Sequence, residues 1–141
     1  MCRAFDSVRN LLEQWLAQHR NSFPPTVLHL TDGESTDGDP SDIANKILSL
    51  STSDGPLLLF NCHVSSRHAI KIEYPGDEAK LPDDFARMLF RISVPLPQAF
   101  RKAASGMGIN TVEGARGFVF NGEPVSVAQF FEIGTQPANL R

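Results

Sequence analysis

The stretch from Thr26 to Leu50 constrains this chain most, because it places three kinds of local structure directly against one another. Thr26-Val27-Leu28-His29-Leu30 is a short apolar strand, Thr31-Asp32-Gly33-Glu34-Ser35-Thr36-Asp37-Gly38-Asp39 is an acidic loop, and a helix follows. Asp39 can accept from the free N–H groups at the helix start. Pro40 suits the first helical position, and Asp42 completes a capping-box-like spacing. Ile43, Ala44, Ile47, Leu48 and Leu50 then fall on one face, as packing against a sheet requires. This is half of a βα unit. Ligands of open α/β sheets bind where strands end and helices begin, so Asp32 is the candidate metal ligand.

A second strand is legible in Leu57-Leu58-Leu59-Phe60-Asn61-Cys62-His63-Val64, which follows the turn signal Ser53-Asp54-Gly55-Pro56. So apolar a run predicts a parallel strand buried on both faces. Before the first strand, Cys2, Phe5, Val8, Leu11, Leu12, Trp15 and Leu16 recur at helical spacing, ended by Asn21 and Pro24-Pro25. This helix begins with no local cap. Ala69 to Tyr74 alternates, as a short exposed strand or an extended arm.

Leu81-Pro82-Asp83-Asp84 starts a further helix with Phe85, Met88, Leu89 and Ile92 at helical spacing. A short helix follows from Pro97, carrying Phe100 and Ala103. Gly114 to Gly117 approach a last strand, Phe118-Val119-Phe120, which Asn121-Gly122 closes. A final helix from Pro124 is expected to turn Val127, Phe130 and Phe131 inward, with residues 135–141 a loose tail.

Alternating helices and strands predict an α/β fold, a Rossmann-like, mostly parallel sheet with helices on both faces. At 141 residues, 41% hydrophobic and 21% charged, the chain suits one globular domain spanning 1–141. A net charge of −3 without a basic cluster gives no footprint for nucleic acid or an anionic membrane. Two cysteines, no signal-peptide order and no long apolar run make a cytoplasmic protein the expectation. One strand of so thin a sheet, the Thr26 strand, is expected to leave an apolar edge through which copies could associate as a homo-oligomer.

The strand-Thr-Asp-Gly step, the Asp-Gly-Asp-Pro helix start and the run Leu57 to Val64 together resemble the second half of a von Willebrand factor type A domain of the bacterial cytoplasmic type. The helix from Leu81 to Arg91 and the segment Glu113-Gly114-Ala115-Arg116-Gly117-Phe118-Val119-Phe120 resemble its C-terminal portion. The resemblance implies a non-enzymatic protein-interaction domain. Such domains hold a divalent cation, usually Mg2+, at a metal-ion-dependent adhesion site, and a partner protein completes the coordination with an acidic side chain. By position Asp32 matches the aspartate of the third metal loop, with Glu34 and Asp37 on the partner-binding rim. No Asp-x-Ser-x-Ser segment occurs in this sequence, and the helix expected after the threonine loop starts at Met1. The first strand with its metal loop is therefore expected to be absent and the site incomplete.

Other chemistries fit less well. Glu34, Asp37 and Asp39 miss the spacing of an EF-hand. Cys62, His63 and His68 lack a second ligand pair for zinc, and neighbours on a strand point to opposite faces. Ser65 and Ser66 with His68 lack a Gly-x-Ser-x-Gly elbow. The enzymatic alternative is an aspartate-dependent phosphatase or phosphotransferase with Asp32 as nucleophile, Glu34 as second acid and Arg67 or Lys71 to balance phosphate charge. A purely structural module assembling through its sheet edge is the other alternative.

Overall fold

A computed structural model describes residues 1–65 and 70–135. In chain order the elements are α1 (Cys2–Gln18), β1 (Thr26–Thr31), α2 (Ser41–Leu48), β2 (Ser51–Thr52), β3 (Gly55–Pro56), β4 (Leu58–His63), β5 (Ile72–Glu73), α3 (Asp84–Ile92), α4 (Gln98–Gly106), β6 (Phe118–Phe120) and α5 (Pro124–Gly134). The two apolar runs are neighbours. β1 and β4 pair in parallel from Thr26↔Leu58 to Thr31↔His63, and β4 pairs in parallel with β6. The fold is α/β, with a four-stranded, mostly parallel sheet in the order β1-β4-β6-β5.

Three parallel strands were expected; the fourth, β5, is antiparallel and pairs Ile72 with Phe120 and Glu73 with Val119. The expected turn at Ser53 to Pro56 falls in a two-stranded hairpin, with Ser53 and Asp54 at its tip and Gly55-Pro56 forming β3 against β2. Residues 66–69, which carry Ser66, Arg67 and His68, and residues 136–141 of the expected tail lie outside the described residues.

Alternation along the strands sorts the core into two layers. Leu57, Leu59, Phe118 and Phe120 pack with Phe5, Leu12 and Leu16 of α1, Ala44 and Ile47 of α2, and Leu89 of α3. Leu58, Phe60, Cys62 and Val119 pack with Phe100 and Ala104 of α4 and Phe130 and Ile133 of α5. Every residue of β4 is buried, which accounts for its unbroken apolarity. Each fully buried leucine or phenylalanine contributes about 1.5–3 kcal/mol. Gly117 is required beside this strand, because a Cβ there would overlap the Phe60 ring.

A polar bridge crosses the first layer. His29 Nδ1 lies 2.9 Å from Asn61 Oδ1, and Asn61 Nδ2 donates to Ser93 Oγ at 2.9 Å and to Leu89 O at 3.3 Å. With its NH2 donating, Asn61 offers its carbonyl to His29, which therefore donates from Nδ1. The bridge ties β1, β4 and the end of α3 together. It also explains a fully buried Asn61 in an apolar run.

Two expectations of burial fail. Leu11 is 65% exposed and Phe131 is 39% exposed. Both lie on amphipathic helices, but α1 and α5 flank the outermost strand, so part of each apolar stripe overhangs the sheet.

Candidate functional site

The acidic loop after β1 sits at the C-terminal edge of the parallel strands, where the starts of α1, α2 and α3 converge. Each start is held by an aspartate. Asp83 Oδ1 accepts from Ala86 N at 2.7 Å on α3, and Asp39 Oδ1 accepts from Ser41 N at 2.8 Å on α2. The expected α2 start at Pro40 moves by one residue: Pro40 is the cap position and its carbonyl accepts from Ala44 N.

The missing cap of α1 comes from the same loop. Asp37 Oδ1 accepts from Cys2 N at 2.8 Å and from the Met1 amine at 2.6 Å, while Oδ2 accepts from Arg3 N at 2.9 Å. With the Ser35 hydroxyl, which donates to Oδ1 at 3.0 Å, four donors meet on one carboxylate and, led by Arg3 N–H, hold its pKa far below the ordinary 3.8. Asp39 is likewise lowered, by its bonds from Ser41. Asp37, expected on a partner-binding rim, thus has both oxygens engaged by the N-terminus of a helix.

Asp32 and Glu34 differ. Both are exposed, and neither carboxylate makes a hydrogen bond or ion pair among the described residues. An Asp-Gly step ordinarily suggests an aspartate bonded to its own turn. Here Thr31 fills that role, its hydroxyl donating to Gly33 O at 2.8 Å and accepting from Gly33 N at 3.3 Å. Asp32, Glu34 and Thr36 line a crevice of about 510 Å³ with His63, Ser65 and Asp83.

No family model, curated protein or solved structure matches this chain. The chemistry of the site therefore rests on its geometry. Magnesium demands six oxygens near octahedral order and commonly takes one or two carboxylates with several waters. Asp32 with the neighbouring acid and hydroxyl groups of the crevice fits that water-rich set. They do not fit a cage made by protein alone, since the described residues contain no group of three His, Cys, Asp or Glu side chains placed to hold a metal ion.

The other candidates separate in space. Cys62 is a buried free thiol whose pKa burial raises to about 11, and it faces the α4/α5 layer. His63 faces the opposite layer, its ring edge-on to Phe85 at 5.1 Å and Phe120 at 5.2 Å. Lys71 pairs with Glu73 of β5 at 3.2 Å, across the sheet from β1. His63 and Asp83 are crevice residues that single motifs miss. Aligning the two apolar runs as parallel neighbours would have found His63, because it is the register partner of Thr31.

Proposed function

We propose that this chain is a non-enzymatic protein-interaction domain of the von Willebrand A kind, with the crevice beyond β1 and β4 as its docking site. The observation that carries the reading is the carboxylate of Asp32, exposed at the end of a parallel strand and free of the local turn that would otherwise explain it. A crevice outside the carboxyl ends of parallel strands is the usual ligand position in such sheets. Asp32 would hold Mg2+ with water at the remaining positions, and Glu34 would lie on the rim facing the partner. The cation, when bound, supplies a positive centre that attracts an acidic side chain of the partner. The chain's own part is to hold Asp32 at the crevice wall, which it does by anchoring the loop through Thr31, Asp37 and Asp39.

The test is a titration of the 141-residue chain with magnesium into the millimolar range, followed by backbone amide resonances. Shifts confined to residues 31–36 and 63–65, abolished by Asp32→Asn, are expected. Unmoved resonances at those positions, or identical shifts in Asp32→Asn, would remove the metal from the reading. Turnover of phosphate esters abolished by Asp32→Asn would replace it with the phosphotransferase alternative.

A further inference from the structure

The outer edge of β1 carries its own information, independent of the crevice. Leu58 N donates to Pro25 O and Val64 N donates to Thr31 O, so the odd-numbered residues of β1 turn their main-chain groups toward β4. Among the described residues β1 is the end of the strand order, so the N–H and C=O groups of Thr26, Leu28 and Leu30 point away from the sheet. The strand Thr-Val-Leu-His-Leu-Thr contains no lysine, acid or proline, the residues that usually guard an edge.

The side chains of the same three residues share one face. Leu28 packs on Gly134 of α5, where a Cβ would overlap it, and Leu30 on that face is 46% exposed. At the other end of the strand, a groove of about 480 Å³ is lined by Leu11 and Trp15 of α1, Pro25, Thr26 and Gly134 of α5. Since α1 and α5 lie on opposite faces of the sheet, a groove touching both must run across the edge of β1.

We infer that two copies of this chain associate through β1, antiparallel about a twofold axis at Leu28, joining their sheets into one. Knob and hole then match. This register pairs Leu28 with Leu28 of the second copy and Thr26 with Leu30, so every outward main-chain group of the three residues gains a partner. Directly opposed residues stand about 4.5–5.5 Å apart at Cβ on the same face. The exposed Leu30 of each copy thus arrives beside Thr26 of the other, at its apolar groove. A strand from an unrelated protein could satisfy the main chain, but the hole at Thr26 and the knob at Leu30, symmetric about Leu28, specify a second copy. No charge on either strand opposes the pairing.

The test combines sedimentation equilibrium with amide hydrogen exchange on the 141-residue chain. A mass rising with concentration toward twice 15.5 kDa is expected. Protection of the Thr26, Leu28 and Leu30 amides should rise with it, while Val27, His29 and Thr31 stay protected throughout. Leu30→Glu, at an exposed position, should hold the mass at that of one chain with an unchanged circular dichroism spectrum. If that variant fails to fold, the exchange pattern of the wild type decides alone. A single-chain mass at every concentration, or a dimer that forms without protecting those three amides, would overturn the inference.

Discussion

One loop carries two pairs of carboxylates with opposite fates. Asp37 and Asp39 accept hydrogen bonds from the starts of α1 and α2, whereas Asp32 and Glu34 make none among the described residues. The four share composition, exposure and a short stretch of chain, so acidity alone does not mark a site. What separates them is the position of helix N-termini, which concentrate unpaired N–H groups and positive potential. The first pair builds the loop, and the second is what the built loop presents.

The comparison breaks most readily at Asp37. Asp37→Ala leaves the N–H groups of Cys2 and Arg3 without their acceptor and should lower the melting temperature by several degrees, the largest effect among the four carboxylates. Thermal unfolding followed by circular dichroism checks this. A melting temperature equal to that of wild type would show that the contact holds nothing in place.

Acid should expose the same difference. The folded pKa of Asp37 lies below its unfolded 3.8, so the unfolded chain binds the proton first. Its stabilisation is complete well above pH 3.8 and fades as pH falls through and below that value. Urea unfolding between pH 5 and 2.5 should therefore show a weaker acid dependence in Asp37→Asn than in wild type.

A gentler slope is expected nearer neutrality from His29. Burial lowers its pKa below 6.5 despite the bond to Asn61, so protonation favours the unfolded chain. Stability is full above pH 6.5 and declines as pH drops from there toward the folded value, a decline that His29→Gln should remove. The smallest effect belongs to the free pair. Asp32→Asn and Glu34→Gln should leave stability within about 0.5 kcal/mol of wild type, and a larger loss would mean that they too support the loop.

Much of the architecture was legible from local rules. The strand at Thr26, the buried run through Phe60 and the helix start at Asp83 follow from apolar periodicity and capping chemistry, which act over a few residues. The exposure of Leu11 and Phe131 was not legible, because periodicity identifies an apolar stripe but not the width of the surface beneath it. A short strand between Ala69 and Tyr74 was one of two readings of its alternation, but the antiparallel pairing of β5 was not legible, because Ile72 and Glu73 are too short a strand to declare their partner.

For the site, the sequence by itself determined that an acidic loop leaves an apolar strand at Asp32 and enters a helix after Asp39. Only tertiary structure decided which acids remain available. The bonds of Asp37 to Cys2 and Arg3 span more than thirty positions of chain and form only when α1 packs beside the loop. Likewise, His63 joins the crevice through parallel pairing with Thr31, and Asp83 through the placement of α3. Local chemistry sets what each segment can do alone. The contacts that use up some polar groups and leave others open depend on which distant segments the shared core brings together.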